Sequence, residues 1–516
     1  MRHVAGGEPL AQGDVLISGA GPTGLALALW LTTQGVKVRI IDKTEAPGTT
    51  SRAVAIQART LELYRQLDLT RDVLAQGHHI PAINLWVQGR KQAHVSFENF
   101  AADLTPYGPL TYAQDQHERL LVQRLEALGV SVERQTELLG FSDAGHQISA
   151  TLRRPDGQQE TCEAAYLAGC DGARSLVRQS IGTGFPGGTY DQVFYVADVT
   201  ATGPAFDGEL HVDLDEADFL AIFPLSGQGH ARLIGTVRDQ RADHPEHLKF
   251  EDVSQRAIQN MKVDVRQVSW FSTYRVHHRV TEHFRKGRCF LLGDAAHVHS
   301  PAGGQGMNTG LGDAINLAWK LKAALTGQAS DALLDTYQTE RRSFALKLVA
   351  TTDRVFSFAT AEGRVADFIR TRVAPVIVHT LFRFEAARDY VFSAVSQIAV
   401  AYHDSAISAG RAGSVRGGDR LPWAPVPNAD NFDTFVTIGW QIHVYGVATP
   451  TLIDWCRRRD VLLHVFAWQD AYATAGLARD AVYLLRPDTY VALATTAQTP
   501  EQLDAYFANH GMSLVR

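Results

Sequence analysis

One stretch restricts this chain more than any other: "DVLISGAGPTGLALALWLTTQGVKVRIIDK", residues 14–43. It reads as strand, tight turn, helix and second strand. Val15, Leu16 and Ile17 form the short apolar run of a strand buried on both faces. Gly19, Gly21 and Gly24 then give GxGxxG. The first glycine permits the turn, the second lets the backbone approach a pyrophosphate, and the third lets helix and strand pack closely. The helix from about Leu25 turns its N-terminal N–H groups and positive dipole end toward the phosphates. The strand "KVRIID" ends at Asp42, whose carboxylate suits ribose hydroxyls and disfavours a 2′-phosphate. The pattern implies an α/β chain with a Rossmann-like site for an adenine dinucleotide, without separating FAD from NAD.

Val15 to Val36 carries no charge and is long enough to span a bilayer. Its glycines, Pro22 and the absence of a basic flank fit a buried strand and helix better than a span or signal peptide. A soluble, cytoplasmic protein without membrane attachment is expected. Its 516 residues suggest two to four domains, and 45% apolar residues allow sizeable cores. A net charge of −6 with no long basic run gives no nucleic-acid surface. Cys162, Cys170, Cys289 and Cys456 form no CxxC pair, so four reduced thiols are expected. No metal is expected: in "HH" (His277, His278) the side chains point to opposite faces of a strand, and His297 and His299 have no thiolate or carboxylate cluster nearby.

Two further stretches repeat the logic of the first. "AAYLAGCDGARSLVRQSIG" (164–182) is an apolar strand, an acidic turn at Asp171–Gly172 and a short basic helix. "LLGDAAHVHSPAGGQGMNTGLGDAINLAWKL" (291–321) ends its strand near Asp294 and then places Pro301, Gly303, Gly304 and Gly306 before a long helix. So many glycines leave bare backbone N–H groups facing whatever lies on the loop. A cofactor as long as FAD has a diphosphate end and an isoalloxazine end, and each needs a cradle. The helix after Asn308 would aim its positive end at the flavin edge where negative charge collects on reduction.

These three stretches resemble the FAD fingerprints of the single-component aromatic hydroxylases, the para-hydroxybenzoate hydroxylase-like flavoprotein monooxygenases. "SRAVAIQARTLEL" (51–63), "TYAQDQHERLL" (111–121), "YRVHHR" (274–279) and "LLDTYQTERR" (333–342) are similar too, so the likeness runs over residues 12–345. "AVYLLRPDTYVAL" (481–493) resembles the thioredoxin-like C-terminal domain of the phenol and 3-(3-hydroxyphenyl)propionate hydroxylase subgroup. There Cys456 is the only cysteine, which favours a structural role.

The resemblance implies FAD as cofactor, NAD(P)H as co-substrate, O2, a small phenolic substrate, a flavin C4a-hydroperoxide and a homodimer. Carried over by position, Gly19, Gly21 and Gly24 hold the diphosphate and Asp42, with Lys43 beside it, the adenosine end. Leu138 reaches adenine through its backbone, Gln114 the ribityl side, and Arg52 the pyrophosphate and the nicotinamide approach. Asp171 and Gly172 serve both FAD and nicotinamide, and Asp294 binds ribitol. Gly304, Gly306, Met307 and Asn308 line the ring, and Pro301 stands beside the reactive carbon, which makes Arg52 and Pro301 the catalytic candidates. Ser300 stands where many relatives have a second proline. His211 and Phe223 are placed in the substrate pocket. A flavin oxidase, a halogenase (no WxWxI stretch supports it) or a non-catalytic FAD-binding association protein are the alternatives.

The expected layout is a first FAD-binding part at 1–185, a mixed substrate-binding sheet at 186–270 and a second FAD-binding part at 271–345. A helical segment (346–407), a Gly/Pro-rich linker (408–432) and the thioredoxin-like domain (433–516) follow.

Overall fold

The computed structural model describes residues 13–514 apart from 49–52, 98–102, 215–218, 238–247, 254, 301, 361–383 and 428. Three sheets organise it, in the mixed α/β manner expected.

The first sheet runs in the order 285–286, 289–291, 159–169, 13–18, 38–41, with Glu137–Asp143 and Ile148–Arg153 attached at the start of the long strand Gln159–Gly169. Gly13–Ser18 lies parallel to both neighbours, Ile17 standing opposite Ala168 on one side and Ile40 on the other. Cys289–Leu291 adds a further parallel neighbour. The helix Pro22–Thr33 begins with proline at a position that needs no N–H, and every residue from Gly24 to Leu31 is buried. A helix apolar all round belongs inside a core, and this one packs against the helix Gly306–Leu325. The bilayer-length run is therefore a strand followed by a buried helix. Among the described residues no helix is long and apolar enough to cross a membrane.

The second sheet has eight strands and is mostly antiparallel. It is wider than the expected 186–270. Ala82–Val87 and Arg90–Ser96 extend one side through a parallel pairing with Leu210–Leu214, and the strand Asp264–Val280 runs on past the predicted edge. Alternation sorts its two faces. Tyr195, Ala197, Leu220, Ile222 and Leu233 pack on one side under Phe250 and Met261. Phe194, Val196 and Ile234 face the other way, with Phe219, Phe223 and Trp270 against them.

The third sheet forms the C-terminal module, in the order 415–416, 409–412, 491–495, 482–485, 441–445, 462–466. Its first two strands come from the segment expected to be a linker. Ala409 pairs in parallel with Leu493, so 408–432 is built into the module. The glycines there serve close packing: Gly410 and Gly418 have positive φ (71° and 93°), and a side chain at either would collide with backbone, at Ala494 and Tyr402 respectively. Sequence alone cannot tell such glycines from those of a flexible tether. Cys456 is buried, and burial pushes its thiol up to about 12, leaving it unreactive at neutral pH. Of the helical segment at 346–407, the helices Ala332–Thr360 and Glu385–Val395 are described; 361–383 lies outside the described residues.

Candidate functional site

The three fingerprint strands, distant in sequence, are neighbours in the first sheet and release their loops at the same carboxyl edge. That edge is where open α/β sheets bind ligands. Cys170 N–H donates to the Ser18 carbonyl (2.8 Å) and Leu292 N–H to that of Gly169 (3.0 Å), so each fingerprint is tied to the next.

In the front loop the glycines have different duties. Gly19 has φ +105° and lies against the Cys170 carbonyl, and Gly24 lies against the Gly19 carbonyl; neither has room for a side chain. A Cβ on Gly21 would meet nothing within 4 Å among the described residues. The middle glycine thus keeps open a space at a helix start whose N–H groups have no side-chain cap. Asp42 stands beside this space. One carboxylate oxygen accepts from the Ala20 N–H (2.7 Å), and the other from the Thr44 N–H (2.8 Å) and hydroxyl (2.7 Å). Lys43 next to it is exposed, and Leu138 is buried at an irregularity in the pairing of Glu137–Asp143.

In the second fingerprint Asp171 accepts from the Val177 N–H (3.1 Å) through one oxygen. Its other oxygen is buried and has no partner among the described residues. Gly172 follows with φ +78° and open space above it. An unsatisfied buried carboxylate oxygen is costly, and a ligand donor would relieve it.

The third loop is held by groups from elsewhere in the chain. Gly303 and Gly304 both have positive φ (79° and 61°), and a Cβ at Gly304 would come within 2.8 Å of that of Ala55. Asn308 is buried and fully committed. Its amide N–H groups donate to the carbonyls of Ala55 (2.9 Å) and Gly304 (3.1 Å), and its oxygen accepts from the Gln57 N–H (2.9 Å) and the Thr60 hydroxyl (2.9 Å). Only its backbone is left to face a ring, so Asn308 shapes the loop. Gly306 and Met307, half-buried, form the uncapped first turn of Gly306–Leu325. Asp294 is exposed just after the positive-φ Gly293. Gln114 donates to Glu118 (2.8 Å) and accepts from the Ala53 N–H (3.4 Å), which brings it beside the stretch that follows Arg52. Arg52 and Pro301 lie outside the described residues.

The nearby histidines are each bonded within the chain. His297 Nε2 bonds Asp313 (2.8 Å), which also accepts from Arg341 Nε (2.6 Å) and the Gly293 N–H (3.0 Å). Burial alone would raise the Asp313 carboxyl, but the Arg341 guanidinium and His297 outweigh it and hold it below the usual range. His299 donates through Nδ1 to the Ser300 carbonyl (2.8 Å). That fixes its tautomer and leaves Nε2, close to Gly306, as a buried acceptor without a partner among the described residues. Burial, aided by His297, lowers its pKa to about 4 and keeps the ring neutral.

Of the two substrate-pocket candidates, the structure separates one from the other. The inner face of the second sheet is the one bearing Arg232, because Arg232 Nη1 donates to the Ala53 carbonyl (2.9 Å) next to the third loop's supports. Phe223 stands opposite Arg232 in register and shares that face, half-buried. His211 stands opposite Ile222, on the outer face, so its placement in the pocket is corrected. One residue of strand parity makes the difference. The Trp86 indole N–H donates to His211 Nδ1 (2.9 Å), so the ring proton sits on Nε2 and goes to Asp207 (2.8 Å). Asp207, Glu209 and His211 bring possible metal-ligand atoms within 4.8 Å of one another, but His211 has no lone pair to give.

The local sequence does not single out Arg232. Only 1% exposed, it forms a two-pronged pair with Asp198 (2.7 Å for each bond) and lies 5.6 Å from the Trp270 ring centre. The available signal was a lone arginine inside the apolar strand "HARLIGTV". Beside it, Tyr190, Phe219, Phe223, Trp270 and Tyr274 are all half-buried, an aromatic wall left partly open.

An open middle glycine, an orphaned buried carboxylate oxygen and two uncapped helix starts on one edge fit a long dinucleotide with a ring at one end. The class this defines is the flavoproteins that hold FAD on such a frame. The family described as "FAD binding domain" matches residues 12–352, and the chain belongs to it. It is 36% identical over 414 residues to the 6-methylpretetramide 4-monooxygenase of Streptomyces rimosus, covering 78% of this chain and 72% of that one. It is 30% identical over 441 residues to the pentachlorophenol 4-monooxygenase of Sphingobium chlorophenolicum, covering 82% and 78%. Among solved structures, the anhydrotetracycline hydroxylase OxyS from Streptomyces rimosus is similar, with a TM-score of 0.79, 27% identity and coverage of 98% and 100%.

Proposed function

We propose that this chain hydroxylates a phenolic aromatic substrate with O2, using electrons from NAD(P)H. The observation that carries the reading is the half-buried aromatic face of the second sheet, turned toward the stretch 53–57 that shapes the third loop. Bound FAD supplies the redox and oxygen-activating chemistry that side chains lack. Gly21 and the helix start behind it receive the diphosphate, Asp42 a ribose, Asp171 and Asp294 further hydroxyl or amide donors, and the 303–308 loop the ring.

The chain's own contribution is to bind, orient and exclude water. Gln57 donates to the Gly303 carbonyl (2.8 Å) while Arg232 bonds the Ala53 carbonyl, so the same short stretch braces the loop and the roof above it. A substrate ring gripped between them is held edge and face by aromatic neighbours. The Arg232 charge is matched by Asp198, which holds the guanidinium in a fixed orientation. Five aromatic side chains on one face support a substrate with more aromatic surface than a single small ring. The similarity to enzymes named for 6-methylpretetramide and for pentachlorophenol supports an aromatic alcohol as the class.

The test is a panel of single-ring and fused-ring phenols supplied to the purified protein with NADH or NADPH. Coenzyme oxidation coupled to a product heavier by one oxygen atom is expected. Coenzyme oxidation that yields hydrogen peroxide alone with every compound, or no oxidation at all, contradicts the reading.

A further inference from the structure

The C-terminal module carries no paired cysteines, yet its hairpin tip, residues 486–490, is driven into the flavin-binding body. Thr489 has φ +64°, a conformation that a β-branched residue rarely adopts. Such strain persists only where the surroundings over-determine it, and it often marks a functional constraint. Here the surroundings are two helices, Ala58–Tyr64 and Gly306–Leu325.

On one side Arg59, 4% exposed, donates to the Asp488 carbonyl (3.0 Å) and the Thr489 hydroxyl (2.9 Å), and its guanidinium lies 4.7 Å from the Tyr490 ring centre. The next residue, Thr60, is one of the donors that fix Asn308. On the other side the Asp488 carboxylate accepts from Asn316 (3.3 Å), on the helix that begins just before Asn308. Asn316 also donates to Glu340 (2.6 Å), which binds Lys320 (2.7 Å) and both terminal nitrogens of Arg486 (2.7 and 2.9 Å). All of these groups are buried. A cavity of about 20 Å³, lined by Arg59, Asn308, Asn316, Asp488 and Tyr490 among others, lies where the two arms meet.

We propose that the 486–490 tip is a positioning element for the cofactor loop, setting the relative placement of the two helices that Asn308 stitches together. Adhesion alone would not call for this arrangement. Buried ion pairs commonly stabilise no better than apolar contacts of the same shape, and their best-attested use is to fix register. The tip bonds to both elements whose spacing decides where Gly304 to Asn308 sit, and none of its residues needs to touch the cofactor. The inference rests on FAD binding, the property of the family, and not on the choice of substrate.

The experiment compares Thr489→Val, which keeps the shape and removes the acceptor, with Thr489→Ser, which restores it, and with Asp488→Asn. For each full-length protein the affinity of the apoprotein for FAD, the visible spectrum of the bound flavin and its midpoint potential are measured. Thr489→Val and Asp488→Asn are expected to weaken FAD about tenfold and to shift the spectrum and potential, with Thr489→Ser close to wild type. Wild-type affinity, spectrum and potential in both Thr489→Val and Asp488→Asn would overturn the proposal. So would a loss in Thr489→Val that Thr489→Ser shares in full. Failure of the wild-type chain itself to take up FAD would strike the family reading instead.

Discussion

The two glycine loops solve one problem by different means. The front loop is supported by its own neighbours: Gly19 and Gly24 fold it against the adjacent strand and itself, and Gly21 keeps its mouth open. The loop at 303–308 owes its shape to residues about 250 positions away in sequence, through the Asn308 bonds to Ala55, Gln57 and Thr60. Behind those stand the hairpin tip and its buried charges. The diphosphate cradle thus rests on its own loop and the adjoining strands of one sheet, whereas the ring cradle also needs a helix and a hairpin from other parts of the molecule.

The sharpest way to break this contrast is within the front loop. Gly24→Ala forces a Cβ into the Gly19 carbonyl and is expected to lose both fold stability, by about 3 kcal/mol or more, and flavin. Gly21→Ala meets open space, so its stability should stay within the roughly 0.5 kcal/mol typical of harmless surface changes while bound FAD is lost. Thermal melts and flavin content of the two variants decide the matter; equal damage in both would mean that Gly21 is structural after all.

In the second loop, Asn308→Ala strands the Gln57 N–H and the Ala55 carbonyl. It should cost about 2–4 kcal/mol of stability and weaken FAD at least tenfold. Calorimetry with FAD titration measures both. A variant as stable as wild type would show that the loop does not need its remote supports. Asp294→Ala is expected to weaken flavin retention by a smaller factor, and an unchanged flavin content would remove that proposed contact.

Acid should separate the loops as well. His299 titrates near pH 4 in the fold, while a free imidazole titrates near 6.5. As pH falls from 6.5 toward 4 the unfolded chain takes up a proton that the native ring refuses, so this contribution to stability is present above 6.5 and shrinks below it. His299→Asn should flatten that part of the stability–pH curve. A curve of unchanged slope would mean that His299 does not govern it.

The smallest effects concern the roof. Phe223→Ala should raise KM for the aromatic substrate several-fold with FAD content unchanged, whereas His211→Gln should leave KM alone and lower only stability. Steady-state kinetics on both variants checks the face assignment, and a KM change confined to His211→Gln would reverse it.

What the sequence made legible follows the same divide. Strand–glycine–helix patterns are local, so the three fingerprints, the buried first helix and the α/β class could be read from consecutive residues. The face of the second sheet could not, because one residue of parity separates Phe223 from the outward His211 and nothing local sets it. Arg232 declares its role only through Ala53 and Asp198, and the strands at 409–416 only through Leu493. Glycines that look like a tether turn out to sit against backbone. Non-local partners, not weak propensities, account for these differences.

The central claim is that both loops hold a single cofactor molecule. Its most direct test is a stoichiometric FAD titration of the apoprotein in wild-type, Gly21→Ala and Asn308→Ala forms. One FAD per wild-type chain is predicted, with that same binding event weakened from either end. Wild-type affinity in either folded variant, or two independent sites in the wild type, would contradict the account.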